Sequence, residues 1–341
     1  MSKYFIELGR AAYKVATKLA CIKSNERVLV LADTLSDMDV VWSIASAAYN
    51  ITSEVAVVVY EARKEVDMEP PEQVAAAMRE SNVIISLPLM YILHTNAYNK
   101  AMESGARILE LTGMDSDMMV RLIGRVDYNL MCLLGDKIVD ILKKGRVFEV
   151  STPLGTKLRF ENDPNRPIFH NDGILDKPGI YKPLGGQISW APIEDSINGV
   201  IVANGFIWPP NEVGVLNNPV RLTIREGRIT RIEGGAEARI FEKWLMSLND
   251  EKMYYIAHVS LGFHPEAKLR GIPLEDERVY GCIEFGFGSQ SKKFKGKIGS
   301  AKAHTDLNAL NATIKVDEEI LLRNGRYIHP DLKEIDMKLM E

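Results

Sequence analysis

The sequence predicts two domains. Residues 1–145 read as an α/β domain, a parallel sheet with helices on both faces, and residues 146–341 as an α+β, mostly antiparallel domain. Three observations predict this. At 341 residues the chain exceeds one ordinary domain. Up to residue 145, short apolar runs alternate with helical spacings, the signature of repeated βα units. From residue 146 onward, hairpin patterns replace that alternation.

The elements follow in order. Residues Tyr4 to Leu19 have helical periodicity, and "RVLVLAD" (Arg27–Asp33) is a continuous apolar run ending in a polar turn, as a buried parallel strand would be. "MDVVWSIASAAYN" is a helix, "EVAVVVYEA" a strand, and "PEQVAAAMRES" a helix that opens on proline. "NVIISLP" and "ARILELTG" are two more strands, separated by the helix "NAYNKAMESG", which Gly105 closes. The helix "LGDKIVDILKKG" ends the first domain. "RVFEVSTPLGTKLRFE" is a hairpin around Pro153-Leu154-Gly155, and "VRLTIREGRITRIEGG" turns at Glu226-Gly227. "AEARIFEKWLMSLND" is the one strongly amphipathic helix here, and "MYYIAHVSLGF" and "VYGCIEFGFG" are strands that run into glycine. Asn162 to Lys182 reads as a long connection rich in Pro, Gly and Asn.

Composition excludes several functions. The chain is 46% apolar and 26% charged, an ordinary globular profile. With 42 basic and 46 acidic residues the net charge is −4, which argues against a general nucleic-acid binder. No window approaches eighteen uninterrupted apolar residues, so no membrane span is expected. Cys21, Cys132 and Cys282 are odd in number, widely spaced and free of a CxxC pair, which fits reduced thiols. The N-terminus is charged throughout and has no apolar h-region, so no signal peptide is expected and the location reads as cytoplasmic. A dinucleotide site is rejected: no GxGxxG follows any strand, and the acidic "ADTLSDMD" would repel a pyrophosphate.

The residues that could carry chemistry lie in the second half. His304 and Asp306, in "KAHTDL", are two apart, so in an extended segment they face the same side and can converge on one cation. His258 stands inside an otherwise apolar strand, and His264 at its end before Pro265. Gly262, Gly286 and Gly288 point to strand ends opening into a cleft. Glu284 is embedded in apolar "CIEFGFG" and needs a cation or donor, because an unpaired buried carboxylate costs several kcal/mol.

These residues carry a resemblance. "AHVSLGFHPEAKLRG", "VYGCIEFGFGSQ" and "KAHTDL" resemble the C-terminal signature of the aminopeptidase T/aminopeptidase S metallopeptidases, and "LGGQISWAPIEDSINGVIVANG" resembles their "GEVFTAP…GVIVADG" segment. That family holds two metal ions with two glutamates, two histidines, an aspartate and a tyrosine. Here the first glutamate falls on Gln187, the bridging glutamate on His258, the first histidine on Glu284 and the tyrosine on Ser291. A neutral imidazole has one free lone pair and cannot bridge two cations, so one metal is expected. The remaining set, His258, His304 and Asp306, suits non-haem Fe(II) with an open face for O₂. The pattern is similar to the 2,5-dihydroxypyridine 5,6-dioxygenase-like branch, which the resemblance implies uses one iron and O₂ to open a hydroxylated pyridine ring, with a serine, Ser289 or Ser291, near the metal. Zinc or cobalt would accept the same ligands. The resemblance also implies a homodimer.

Further expectations attach to single residues. His170, in the long connection, is a candidate proton carrier near its ordinary pKa of ~6.5. Gln187 and Glu284 are candidate catalytic groups. His264 and Trp190 are candidate substrate contacts, with solvent exposure and core packing as the respective ordinary alternatives; Phe206 is weighed like Trp190. His94 and His329 read as structural. The basic run "KKFKGK" (Lys292–Lys297) could draw an anionic aromatic. Two other functions stay open: a metalloaminopeptidase with Glu284 as a substitute ligand, and an inert binding protein on the same scaffold.

Overall fold

A computed structural model describes residues Lys3–Glu341. The chain divides into two compact units. The first is Met1–Val126 with Asn171–Gly185, and the second is Asp127–His170 with Gly186–Glu341. This differs from a break at 145/146 in two ways. The helix Tyr128–Lys144 belongs to the second unit, because its apolar stripe (Met131, Leu134, Ile138, Leu142) is buried there. The stretch Asn162–Lys182 is also not a plain loop. Ile168–Asn171 is a strand in one sheet and Tyr181–Pro183 is a strand in another. The pairing partners of such short strands are distant in sequence, so their local composition still reads as loop.

The first unit is the expected parallel sheet. Strands Val28–Asp33, Val55–Tyr60, Val83–Ser86 and Arg107–Glu110 pair in parallel, with Tyr181–Pro183 as a fifth strand beside Arg107–Glu110. Val28–Asp33 is buried at every position, as a strand covered on both faces must be, whereas the edge strand Val55–Tyr60 is only partly buried. Leu29, Leu31, Ile84 and Ile108 pack with Val74, Met78, Tyr98 and Ala101 from the helices Glu72–Arg79 and Asn96–Glu103. Gly105 adopts φ +95° just past the second of these helices, as a glycine stop requires.

The second unit carries an eight-stranded and a seven-stranded sheet, with antiparallel strand pairs throughout. The hairpin Val147–Ser151/Lys157–Glu161 forms as the alternation predicts. So does the pair Val220–Arg225/Arg228–Glu233, whose two turn residues, Glu226 and Gly227, both take positive φ (47° and 75°). Phe148 and Phe160 stack at 5.1 Å, and Trp190 packs on them at 5.9 and 6.4 Å. Trp190 is 2% exposed and donates its Nε1 hydrogen to Asn162 Oδ1 at 2.9 Å. It is a core residue, and so is Phe206, 1% exposed. Trp190→Ala is therefore expected to cost about 3–5 kcal/mol of stability, read by denaturant unfolding, while leaving metal content unchanged. Among the described residues, no helix is long and apolar enough to cross a membrane.

Candidate metal centre

Three adjacent strands of the seven-stranded sheet build the site. Ile256–Gly262 pairs with Ile283–Gly288, which pairs with His304–Ala309, all antiparallel. In that register His258 lies opposite Gly286, and Gly286 opposite Asp306, while His304 lies opposite Gly288. Alternate residues of a strand share a face. His258, Ser260, Glu284, Gly286, His304 and Asp306 therefore line one side, extended by Gln187 and Ser189 on the neighbouring strand Gln187–Trp190. Val259, Leu261, Phe285, Phe287 and Leu307 line the other side and belong to the apolar core.

Gly286 explains how the site closes. A Cβ there would stand 2.3 Å from His258 Nε2 and 2.6 Å from its Cδ2. The bare backbone lets the His258 imidazole lie across the middle strand and reach the third one. The glycine sits inside the strand, between two phenylalanines, and does not mark a strand end; Gly262 and Gly288 do end their strands.

His258 Nε2 is 3.1 Å from His304 Nε2 and 3.4 Å from Asp306 Oδ1, and His304 Nε2 is 3.1 Å from the same oxygen. Two ligand atoms each ~2.1 Å from one ion, with bond angles of about 90° to 109°, lie about 3.0 to 3.4 Å apart. The triangle therefore has the dimensions of one ion's coordination face. Both imidazoles are also oriented for it. His304 Nδ1 donates to the Ser289 carbonyl at 2.8 Å. Ser260 Oγ donates to Ser189 Oγ at 2.9 Å, which leaves it to accept from His258 Nδ1 at 3.2 Å. Each Nδ1 thus faces an oxygen that can accept its proton, and the tautomer these contacts favour leaves the Nε2 lone pair for a metal.

The electrostatics agree. Burial pushes the His258 pKa below the ordinary imidazole value, against the pull of Asp306. For His304, burial also disfavours the cation, but the charge and hydrogen bond of Asp306 outweigh it and the net shift is upward. For Asp306, burial opposes ionisation and the two histidines overcome it, holding the carboxyl well below the usual range. Asp306 is thus an anion and His258 is neutral at neutral pH, as a metal ligand requires, whereas Asp306 draws His304 toward its cation, so binding a metal would displace a proton from His304.

Other acids on this face are engaged elsewhere. Gln187 Nε2 donates to Glu284 Oε2 at 3.1 Å and to Glu277 Oε2 at 3.3 Å. Glu277 also accepts from Arg278, 3.1 Å away. Burial, then Glu277 and Asp306, push the Glu284 pKa far up, and burial raises Glu277 to about 7. The N–H end of the Gln187 amide points between these two carboxyls and ties them together. Gln187→Glu would bring a third buried carboxyl into this group. These acids have raised folded pKa values, so the stability they cost grows as pH climbs from the ordinary carboxyl range, levelling off above about 7 for Glu277 and higher for Glu284. The variant is expected to melt on the order of 10 °C lower at pH 8, clearly less so at pH 5, and to regain stability with added divalent cation.

The remaining candidates fall elsewhere. Ser291 is exposed, and its hydroxyl caps the short turn Lys292–Phe294 by accepting from Lys293 N. Ser289 meets His304 through its carbonyl. His264 is fully buried against Gly186, and its Nδ1 accepts from Glu266 N, so it is not a solvent loop residue. His170 lies at 2.9 Å from Asp136, packed on Phe263 and against Gly135 of the helix Tyr128–Lys144. His94 holds its strand-end turn through its backbone, and His329 Nε2 meets Glu319 at 2.6 Å. Gln290 and Glu194, both buried, carry no motif and are legible only from strand pairing. Phe294, half-buried within a basic run, stacks on His258 with ring centroids 5.4 Å apart. Among the described residues, His258, His304 and Asp306 are the group whose ligand atoms all lie within 4.8 Å.

The two-unit scaffold, a parallel-sheet unit beside an antiparallel one with a three-donor cradle that could hold a metal ion, is the fold class of the aminopeptidase-like two-domain proteins. Comparison then narrows it. The family model described as NicX: 2,5-dihydroxypyridine 5,6-dioxygenase matches residues 10–329, and the chain belongs to that family. It is accordingly an oxidoreductase, a ring-cleaving dioxygenase. The solved 2,5-dihydroxypyridine dioxygenase from Pseudomonas putida KT2440 is 21% identical, covers 96% of this chain and 99% of its own, and superposes with a TM-score of 0.78. Wild-type AmpT from Thermus thermophilus is 15% identical over 95% of this chain and 100% of its own, with a TM-score of 0.68. At these identities the likeness to both structures is one of fold. A search of curated proteins gave no match.

Proposed function

We propose that the protein opens the ring of a hydroxylated N-heteroaromatic, such as a dihydroxypyridine, with O₂, and that His258, His304 and Asp306 hold a single Fe(II) for the purpose. The observation that carries this reading is the triangle of Nε2, Nε2 and Oδ1 atoms, 3.1 to 3.4 Å apart, with each Nδ1 facing an oxygen. An Fe(II) in a two-histidine, one-carboxylate set supplies open coordination positions and the redox chemistry for O₂.

The residues of the chain do the rest. Asp306 contributes the one negative charge of the cradle. The Ser289 carbonyl and Ser260 hydroxyl keep the two rings from turning. Gln187 ties Glu284 and Glu277 together. Glu284, whose pKa burial pushes up, and Glu277, raised to about 7, are the acids of this group that could hold or pass on a proton. The homodimer and the cytoplasmic setting belong to the same proposal, and light scattering of the purified protein reads the first of these.

The test is anaerobic loading with Fe(II), metal analysis, then a panel of dihydroxypyridines and hydroxylated aromatics under O₂. About one iron per chain and stoichiometric O₂ uptake with loss of ring absorbance are expected. Two zinc or cobalt ions per chain with peptide hydrolysis, or no bound metal at all, would replace this reading with a peptidase or an inert binder.

A further inference from the structure

The turn Lys292–Phe294 meets His258 through Phe294, and the residues after it are tied down by buried side chains. Glu194, 6% exposed, accepts from Arg166 Nη2 at 2.8 Å and from Lys297 N at 2.7 Å. Burial works against its ionisation, but Arg166 and Lys297 N outweigh it and hold the carboxyl below its usual range. Gln290, 3% exposed, donates to the Ala257 carbonyl at 2.7 Å and accepts from Ile298 N at 3.1 Å. A Cβ at Gly296 would stand 2.2 Å from Gln290 Oε1, so the chain presses directly on that amide. One end of this network thus grips the residue before His258, and the other grips the chain just after Phe294.

The outcome is the position of one ring. Phe294 is half-buried and lies over the His258 imidazole with an interplanar angle of 24°. Phe169 meets Phe294 edge-on at 5.3 Å and 79°. His258 is therefore bounded by Gly286 against its Nε2 edge, Ser260 at Nδ1 and Phe294 on a face. The Ser260 contact keeps the ring from flipping, but while its faces are uncovered the ring can still tilt about that contact. The stacked phenyl ring removes that freedom.

We propose that Phe294 is a positioning residue for the metal centre: by stacking on His258 it holds that imidazole with Nε2 toward His304 and Asp306, and the Glu194–Gln290 network keeps it in place. This rests on the reading of His258 as a ligand, and two readouts separate the ideas. Co(II) alone, titrated into metal-free wild type, Phe294→Leu and Phe294→Tyr, reports binding and, through its visible bands, geometry. Ring nitrogen NMR of histidine-labelled, metal-free protein reports the His258 tautomer and its rigidity.

Phe294→Leu is expected to weaken Co(II) about three- to tenfold, alter its visible bands and broaden or split the His258 ring signals, with an unchanged far-UV spectrum. Phe294→Tyr should restore all three to within about twofold of wild type. Phe294→Leu with wild-type affinity, bands and ring signals would overturn the proposal. If wild type binds no Co(II), the ligand reading falls, and the ring signals of the metal-free variants still decide whether Phe294 positions His258.

Discussion

Asp306→Asn is expected to leave the fold intact and abolish both bound iron and ring cleavage. Asn keeps the shape of the side chain and removes the charge. The cradle then offers two neutral imidazoles and a neutral amide oxygen, a poor match for a hard divalent cation. Activity should fall at least about 1000-fold and iron below about 0.1 per chain, on the scale of losing a direct ligand rather than a supporting contact, which typically costs 10- to 100-fold. A second change follows from the raised pKa of His304, which depends on Asp306. In metal-free Asp306→Asn that pKa should drop, because burial is then opposed only by the Ser289 carbonyl and Glu277; histidine titration by NMR reads the sign. Iron retained near one equivalent would remove Asp306 from the ligand set.

Gly286→Ala should be nearly as damaging although it removes no donor. The added methyl would occupy space 2.3 to 2.7 Å from three atoms of the His258 ring. Gly286 is mid-strand between paired neighbours, so the backbone cannot retreat cheaply, and the imidazole must swing away. The expected result is loss of at least about 90% of bound iron and about 100-fold in ring cleavage. The stability cost should be modest, about 1–3 kcal/mol for overpacking. Metal analysis beside a thermal melt makes the comparison. A variant that keeps its iron would show that His258 reaches the site by another path.

How much of this was legible before folding varies from residue to residue. The four strands of the first unit before residue 111 follow from apolar runs bounded by turn residues, and the hairpin at Val147–Glu161 from alternation, all local signals. Tyr181–Pro183 and Ile168–Asn171 do not, since three or four residues acquire their identity from distant partners. The helix Tyr128–Lys144 was readable as a helix but not as a member of the second unit, because periodicity locates a buried stripe without saying what covers it. The ligand-type residues stood out by chemistry: a histidine in an apolar strand and a His-x-Asp pair. Their supporting partners did not. Phe294 resembles a stray aromatic in a basic loop, Ser260 an ordinary strand serine, and Gln290 a surface amide, until strand pairing brings them to His258. Glycine within "EFGFG" was the one local hint, since a glycine inside a strand marks a close approach. Trp190 shows the reverse error, an attractive aromatic whose buried ring belongs to the core.

The three donors come from strands whose histidines are 46 residues apart, and they meet only once those strands have paired side by side. No ion can gather them from the unfolded chain, so occupancy is decided after the polypeptide is already compact. The finished cradle then takes whichever divalent ion its surroundings supply, and for nitrogen–oxygen sets copper and zinc bind more tightly than ferrous iron. Protein purified in air is expected to carry zinc, stay folded and be inert until that zinc is exchanged. Competition for loading, rather than synthesis of the chain, would then set how much working enzyme a cell contains.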